Sequence, residues 1–540
     1  MLRLLPLLLL VACGDKDSDD TSAPVDTDTD TVVDTDTDVP VADLFATEPV
    51  IASDAGCPLV PVLTATTDSD ATVTVTEGGR TWSSATATTA PVLPMFDFVP
   101  DTDYTFTVTV TAGAETATRT VAWRSPSLPS AWPDVENLVS PPDPGMSPGF
   151  TLTALGSLGV GYHIAALDAS GVPHWIFTND SRVDDLDLDL NGNPLFVDAD
   201  ALHQLDWACS DLGTFTWDPA PVGAPESAVV LDDALILHHE VTQLSDGTFL
   251  TLSHELFDVD VFPTDYTLTD FDEATLDAAV ILRFDGSGTV VDRISFADIY
   301  DQTRIGYDAL NGGEADENGS YDWVHGNAVQ WVEADDSYVV SARQQDAVVK
   351  FDRTTGQIQW ILGNHDGWGA AWQPYLLDPL PGTTWPYHQH APLLADDGSV
   401  VLFDNRNVAV SPPEPVPADY LPNSRAVQYR IDDVAMTVSQ DWEYAETVVG
   451  PMFCAAGGSV EPLENGNMLV TCAYGQTFGT KLNKGVGHGE SAVRLIEIDP
   501  ATGDTLWDLH LFSDLAENDK GWNSARALRV LTVGPTGVGG

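Results

Sequence analysis

The chain has 540 residues, 83 of them acidic and 21 basic, which gives a formal net charge of −62. This charge repels phosphate backbones and anionic lipid surfaces, so the composition excludes a nucleic-acid partner. Because cations are scarce, arginines that collect around one feature indicate an anion that is held there.

The N-terminus has the order of a lipoprotein signal peptide. One arginine and a leucine-rich run lead to Leu-Val-Ala-Cys, which ends at Cys13. The run of about 10 apolar residues is too short to span a bilayer, which takes about 20. We expect cleavage and lipidation at Cys13, with a plain secretory signal as the alternative. No later stretch is long and apolar enough for a membrane helix. We therefore expect a cell-envelope protein that faces the periplasm or the exterior and is held to a membrane only by its acyl chains.

Residues 14–44 are rich in Asp and Thr and predict a disordered tether, since they cannot bury enough apolar surface to fold. Weak calcium binding is the alternative for this segment. Residues 45–127 alternate Thr and Val in about seven short runs, which predicts a β-sandwich of the fibronectin type III or immunoglobulin-like kind. The Pro-rich residues 128–146 predict a linker.

Residues 147–535 contain an internal repeat. Six copies of strand, polar turn and strand occur, among them VVKFDRTTGQIQWIL, RLIEIDPATGDTLWDLH and HIAALDASGVPHWIF. A second hairpin with an Asp/Asn-Gly turn precedes several copies, as in HEVTQLSDGTFLTL. Two hairpins make a four-stranded blade, so the repeat predicts a six-bladed β-propeller.

Four cysteines follow Cys13. An even number in an oxidising compartment favours disulfides over a metal site, and no CxxC pair is present. We prefer a bridge between Cys454 and Cys472. The alternative is that these two, Cys57 and Cys209 are buried free thiols.

The histidines share a position in the repeats. Counting seven residues back from the Asp or Asn of the turn reaches His239, His390, Asp184 and Gly458, and His325 opens its own strand in the same way. The first strand of a propeller blade is innermost, so we expect the three histidines to converge at one mouth of the channel.

The loops between second and third strands reach the same mouth. They carry Arg343, Arg406, Arg425 and His488. The pattern predicts a ring of imidazoles with guanidiniums above it, which is a site for an anion. Three histidines and water also make a catalytic zinc site. The adjacent arginines disfavour a dication, however, so we expect no metal and no cofactor. For His388 we favour a packed or loop position.

A family resemblance rests on these residues. The segment DWVHGNAVQWVEADDSYVVSARQQDAVVKFDRTTGQIQWILGNHDGW, followed by QHAPLLADDGSVVLFDN, SRAVQYRID, WEYA and LENGNMLV, resembles the bacterial aryl sulfotransferases. The resemblance covers roughly residues 230–500 and is strongest over 322–405. It implies an N-terminal β-sandwich and a six-bladed propeller, and transfer of a sulfuryl group from a phenolic sulfate ester to a phenol through a sulfohistidine, without a nucleotide donor.

The resemblance also implies roles for individual residues. His325 and His390 would hold or attack the sulfate, supported by Asn327 and Arg406, with Arg343 close by. For the nucleophile, the candidates are His390, His325 and His488 in that order, and His239 joins Arg425 among the substrate-binding residues. The chain departs from the family at Gln344, where His is common, and has Gly458 at the fifth channel position.

Two other functions fit parts of the pattern. Gln344 and Gly458 allow a non-catalytic propeller that binds an anionic or aromatic ligand or a partner protein. The TGxxxW repeats also resemble those of quinone-cofactor oxidoreductases. The natural donor and acceptor and the oligomeric state are not specified by the sequence.

Overall fold

The computed structural model describes residues 43–130, 132–310, 319–445, 452–476, 491–513 and 521–535. Over these residues the chain is all-β, as the repeats predict, with helix only in three short 3-10 turns at Phe296–Asp298, Arg343–Gln345 and Gln373–Tyr375. None of the helices in these ranges could cross a membrane. The signal peptide, Cys13, nearly all of the tether and His488 lie outside the described residues.

Seven strands at the N-terminus form two sheets. Val73 and Val75 alternate with exposed or half-buried threonines and share one hydrophobic core with Leu63 and Phe106, so the Thr/Val pattern separates a buried face from a solvated one. The sheet orders are β1-β2-β5 and β4-β3-β6-β7. The strands are β1 Phe45–Ala52, β2 Val62–Thr67, β3 Thr72–Glu77, β4 Arg80–Ser83, β5 Val92–Pro94, β6 Asp103–Ala112 and β7 Glu115–Arg124.

Twenty-eight further strands follow in the described residues. They are β8 Asp134–Asn137, β9 Phe150–Ser157, β10 Gly161–Leu167, β11 Pro173–Asn179, β12 Val183–Leu188, β13 Pro194–Asp198, β14 Leu202–Leu205, β15 Asp211–Trp217, β16 Val229–Leu231, β17 His238–Gln243, β18 Phe249–Pro263, β19 Phe271–Phe284, β20 Val290–Ser295, β21 Ser320–Asp322, β22 Gly326–Val332, β23 Ser337–Ala342, β24 Ala347–Asp352, β25 Ile358–Gly363, β26 Asp378–Pro379, β27 His390–Leu394, β28 Ser399–Asp404, β29 Arg425–Asp432, β30 Thr437–Tyr444, β31 Ser459–Pro462, β32 Met468–Gln476, β33 Ser491–Asp499, β34 Asp504–Phe512 and β35 Ala527–Val530.

These strands form six sheets of four or five strands. Their orders are β11-β10-β9-β35, β12-β13-β14-β15-β16, β17-β18-β19-β20 with β21 beside β19, β22-β23-β24-β25, β26-β30-β29-β28-β27 and β31-β32-β33-β34-β8. Each of the six sequence repeats is an antiparallel pair within one sheet. Their closing tryptophans Trp175, Trp360 and Trp507 are buried, which explains why the repeat retains Trp there.

The two ends of this region complete sheets begun elsewhere in the sequence. The C-terminal β35 pairs with β9, and β8 pairs with β34. Strand β8 comes from the segment predicted as a linker, so that segment contributes to a sheet. Contacts between neighbouring sheets form a closed series that runs from β9 to β12, β17, β22, β27, β31 and β35, and β35 pairs with β9. These strands therefore surround a common centre.

Two disulfides connect distant parts of the chain. The predicted Cys454–Cys472 bridge is present, and Cys57 pairs with Cys209 across 152 residues of sequence. The alternative of four free thiols is therefore wrong. The second bridge joins the loop after β1 to the turn between β14 and β15, which ties the N-terminal strands to the repeat region.

A charged histidine makes a second link between these parts. His174 on β11 lies 2.5 Å from Asp97, which follows β5, and 3.4 Å from Asp168. Burial lowers the pKa of His174, but the hydrogen bonds and charges of Asp168 and Asp97 outweigh burial and raise it to about 9. His174 therefore carries a positive charge at neutral pH.

We expect this link to stabilise the fold in a pH-dependent way. The folded pKa lies above the ordinary value of 6.5, so the stabilisation is complete below pH 6.5 and is lost as pH rises towards 9. The His174→Gln variant should lose about 2 kcal/mol of unfolding free energy at pH 6 and almost none at pH 9.5, measured by urea unfolding of both proteins. A difference that stays constant over this range would contradict the assignment.

Candidate active site

A cavity of about 600 Å³ opens at the centre of the six sheets. Its lining includes the four positions found by counting back from the turns, Asp184, His239, His390 and Gly458, and also His325. The structure thus brings together three histidines that are up to 151 positions apart in the sequence.

The backbone at the start of these strands is irregular in a common way. Pairing with the second strand shifts between His238 and Val241, between Gly326 and Ala328, and between His390 and Leu393. His239 and His325 have φ of 59° and 41°, in the left-handed region, and Ala391 has φ of 47°. Such β-bulges re-aim side chains and are common beside active sites.

His390 is held in one tautomer. The Asn405 amide nitrogen donates to the carbonyls of Cys454 and Gly457, both at 2.9 Å, so the Asn405 oxygen faces His390 Nδ1 at 2.7 Å. An amide oxygen can only accept, so Nδ1 carries the hydrogen. The lone pair is left on Nε2, where the Gly457 N–H approaches at 3.3 Å.

His390 is also neutral. Its side chain is buried, and burial, followed by the positive charge of Arg343, lowers its pKa to about 3. Nε2 is therefore unprotonated at every ordinary pH. A neutral imidazole on a cavity wall can act as a nucleophile through its unprotonated nitrogen.

His325 has a different partner. Its Nδ1 lies 2.5 Å from Asp322 Oδ2, and the Gln344 amide donates to the same oxygen at 3.3 Å. Burial would raise the pKa of Asp322, but the charge and hydrogen bond of His325 outweigh burial and lower it. The ionised carboxylate orients the ring and stabilises positive charge on it, as in catalytic dyads.

His239 stands edge-on to His325, with 5.1 Å between ring centroids. Its Nδ1 lies 2.7 Å from Nδ1 of His238, which is buried behind it. Burial, followed by the electrostatic effect of the neighbouring His238 and His325, lowers the pKa of His239 well below its ordinary value, so His239 is neutral.

Arg343 supplies a cation to the cavity. It lies in the turn Arg343–Gln345, its backbone N–H donates to the His325 carbonyl at 3.0 Å, and its guanidinium pairs with the half-exposed Asp308 at 3.1 Å. Asn327 also lines the cavity and donates to the Gln389 carbonyl at 2.8 Å, which leaves its buried Oδ1 without a partner.

The structure does not bring Arg425 to this site. Its guanidinium is 2 % exposed, binds Asp404 at 2.8 Å and also donates to Glu443 and Tyr429. The structure therefore does not support the prediction that Arg425 binds substrate. Its guanidinium balances carboxylate charge and donates hydrogen bonds within the sheet that contains β28, β29 and β30. Arg406, two residues after Asp404, is also not among the described residues that line the cavity.

Other predicted positions have structural partners. His388 is fully buried and its Nε2 donates to the Tyr307 carbonyl at 3.1 Å, as expected for a packed residue. Gln344 occupies the position where the resembled family often has His, and it lines the cavity beside Asp322. His488 cannot be placed because it lies outside the described residues.

Several lining residues were not found from the sequence. Arg526 lies between Asp185, at 3.2 Å, and Glu240, at 3.3 Å. Tyr162 and Tyr474 add aromatic surface to the cavity. Arg526 precedes the C-terminal strand, outside the two hairpin patterns, so only pairing of β35 with β9 would have indicated it.

In the parts of the chain that the structure describes, no group of three or more His, Cys, Asp or Glu residues is arranged to hold a metal ion. The three cavity histidines have their Nδ1 atoms engaged by Asp322, His238 and Asn405. The chemistry that the described residues offer is therefore that of imidazole lone pairs beside a guanidinium.

Comparison with known proteins gives both a family and individual relatives. The family model for arylsulfotransferases (ASST) matches residues 137–523. The arylsulfate sulfotransferase AssT of Escherichia coli is 28% identical over 177 residues, which are 30% of this chain and 29% of that protein. AssT of Lelliottia amnigena is 28% identical over 141 residues, 23% of each chain. The matched part thus spans under a third of these relatives.

Solved structures are more distant. A protein of unknown function from Bacteroides caccae is 14% identical with a TM-score of 0.36, covering 71% of this chain and all of that one. A quinoprotein alcohol dehydrogenase-like protein from Bacteroides thetaiotaomicron is 9% identical with a TM-score of 0.28, covering 87% and 94%. Neither likeness is close enough to support an argument. The family match covers most of the chain and includes the cavity histidines, so the chain belongs to the arylsulfotransferase family.

Proposed function

We propose that this protein is an arylsulfate sulfotransferase that moves a sulfuryl group from a phenolic sulfate ester to a phenol, with His390 as the nucleophile. The observation that carries the proposal is the state of His390. Its ring is neutral, its Nδ1 hydrogen is fixed on Asn405, and its unprotonated Nε2, which accepts only a long hydrogen bond of 3.3 Å from the Gly457 N–H, belongs to a residue that lines the cavity.

The first half-reaction follows from this arrangement. Nε2 of His390 attacks sulfur, the bond between sulfur and the phenolic oxygen breaks, and a phenolate leaves with the bonding electrons. The sulfuryl oxygens are stabilised by Arg343 and by the ring of His325, whose positive charge Asp322 supports. Tyr162 and Tyr474 give the aryl ring an aromatic surface. In the second half-reaction a phenol takes the sulfuryl group from Nε2, which gives ping-pong kinetics.

The proposal extends to the architecture. The two N-terminal sheets form the sandwich of residues 45–127, and the six following sheets are blades of a propeller over 147–535. Support for the propeller comes from the cyclic contacts of the first strands and from the pairing of β35 with β9. The lipidated Cys13 holds the protein to an envelope membrane, with residues 14–44 as the tether.

We expect a covalent intermediate on His390. Incubation with p-nitrophenyl sulfate and no acceptor should release one equivalent of p-nitrophenolate and add one SO₃ group, located by peptide mass spectrometry on His390. The His390→Ala variant should lose both signals, because it lacks the attacking nitrogen. As a matched control, His203→Ala removes a histidine that stacks on Phe196 away from the cavity and should keep both.

Two outcomes would contradict this expectation. Release from His390→Ala at the wild-type rate would assign the nucleophile to another residue. A wild-type protein that binds sulfate but releases no p-nitrophenolate would make the chain a non-catalytic binding member of its family.

We expect Arg343, not Arg406, to bind the anion. The Arg343→Met variant should weaken binding of inorganic sulfate at least about tenfold, because a charge-assisted hydrogen bond contributes roughly 1.5–3 kcal/mol. Arg406→Met should change it less than about twofold, since Arg406 is not in the described lining. Isothermal titration calorimetry of the three proteins measures this, and equal losses in both variants would place Arg406 at the site.

We expect Cys13→Ser to release the full-length protein from the membrane. Acylation of the thiol is the only anchor proposed, so its removal should move the protein from the membrane pellet to the soluble fraction of the producing cells and abolish incorporation of labelled palmitate. An unchanged membrane fraction without label would show a different mode of attachment.

A further inference from the structure

His238 stands directly behind the cavity histidine His239. It is 4 % exposed and does not line the cavity. Its Nδ1 lies 2.7 Å from His239 Nδ1, and its Nε2 lies 3.2 Å from the carbonyl oxygen of Ser253. Both distances are those of hydrogen bonds.

These contacts determine where the hydrogens are. The Ser253 carbonyl can only accept, so His238 Nε2 carries a hydrogen. A neutral imidazole has one N–H, so His238 Nδ1 is an acceptor and the hydrogen between the rings belongs to His239 Nδ1. The lone pair of His239 is therefore left on Nε2, the nitrogen available to the cavity.

The surroundings keep His238 neutral. His254 stacks on its ring at 4.1 Å between centroids, and Asp277 holds His254 Nδ1 at 2.7 Å. Burial, followed by the electrostatic effect of the neighbouring His254, lowers the pKa of His238 well below its ordinary value. A doubly protonated His238, which would reverse the tautomer of His239, is thus disfavoured.

A fixed lone pair at this place distinguishes the two substrates. The sulfuryl oxygens of the donor are acceptors and cannot hydrogen-bond to an unprotonated nitrogen. The hydroxyl of an acceptor phenol can donate to it. Since the pKa of His239 is also lowered, the proton moves to Nε2 only as the phenolic oxygen bonds to sulfur and becomes acidic.

We propose that His238 is a positioning residue that holds His239 as the base for the acceptor phenol. This rests on the proposed function. The phenolic oxygen forms a bond to sulfur, the sulfur–Nε2 bond of His390 breaks and returns its electron pair to that nitrogen, and the phenolic proton goes to His239 Nε2. His239 then releases this proton to solvent, which its lowered pKa favours, so both histidines are restored before the next donor binds.

Two substitutions separate positioning from packing. In His238→Asn the side-chain oxygen is bonded to Cγ as Nδ1 is, so an acceptor for His239 is retained. In His238→Phe the ring is retained and the acceptor is lost. His203→Phe is the matched control, because it replaces a half-buried, ring-stacked histidine away from the cavity.

The experiment measures the two half-reactions separately on the full chain. Enzyme sulfation is followed as the burst of p-nitrophenolate, and desulfation as loss of labelled sulfate when phenol is added. We expect His238→Phe to slow desulfation by phenol at least tenfold and the burst less than threefold. We expect His238→Asn and His203→Phe to stay within threefold of the wild type in both steps.

The acidity of the acceptor provides the decisive comparison. Pentafluorophenol, largely ionised at neutral pH, needs no base, so its desulfation rate should be nearly the same in His238→Phe and in the wild type. Equal slowing of both half-reactions, equal slowing with both acceptors, or His238→Asn as slow as His238→Phe would overturn the proposal. Absence of any burst in the wild type would overturn the proposed function and this proposal with it.

A second measurement does not depend on the variants being active. Ring ¹⁵N NMR of histidine-labelled wild-type protein should show the signals of a neutral imidazole with hydrogen on Nδ1 and none on Nε2. These signals should be missing from His239→Phe, which assigns them to His239. Hydrogen on Nε2 of His239 would overturn the proposal even if every variant failed to fold.

Discussion

The hydrogen bond between Asn405 and His390 is the interaction on which the site depends. It exists because two backbone carbonyls, of Cys454 and Gly457, take both hydrogens of the Asn405 amide and leave its oxygen for the imidazole. One of these carbonyls belongs to a disulfide-bonded cysteine. The bridge, the loop after it and the start of β27 together orient the His390 ring, so its unprotonated nitrogen is positioned by contacts from several parts of the chain.

The proposed substrate is an anion and the chain is strongly acidic, so net charge cannot be what attracts that substrate. Two arginines at the cavity have carboxylate partners: Asp308 for Arg343, and Asp185 with Glu240 for Arg526. The Asp308 side chain is exposed, whereas Asp185 and Glu240 are buried. A sulfate can therefore replace Asp308 as the partner of Arg343 at little cost in solvation, whereas the buried carboxylates stay paired with Arg526.

Much of the fold and part of the site could be predicted from the sequence, because the regular spacing of residues along a strand fixes where each residue lies relative to the turn. Seven residues separate the turn from the cavity position in the hairpins that begin with β17 and β27, so the turn locates His239 and His390 without knowledge of the contacts. The arginines were harder to locate because loops have no such period: Arg343 lines the cavity and Arg425 does not. Arg425 begins β29, and only the partner on the neighbouring strand, Asp404, shows that its side chain serves the sheet. His238 was visible as one of two adjacent histidines, but its role depends on a backbone carbonyl that no sequence pattern marks.

Three imidazoles at one cavity would be chemically alike if their surroundings were alike, and the structure makes them different through the atom facing each Nδ1. An amide oxygen holds the hydrogen of His390 on Nδ1, a carboxylate accepts from Nδ1 of His325, and a neutral imidazole leaves the lone pair of His239 on Nε2. The three partners come from different places: the end of β28, the end of β21, and the neighbouring residue of the same strand. Changing a partner would therefore change a role while the ring of histidines stayed intact, so the ring alone does not specify the function.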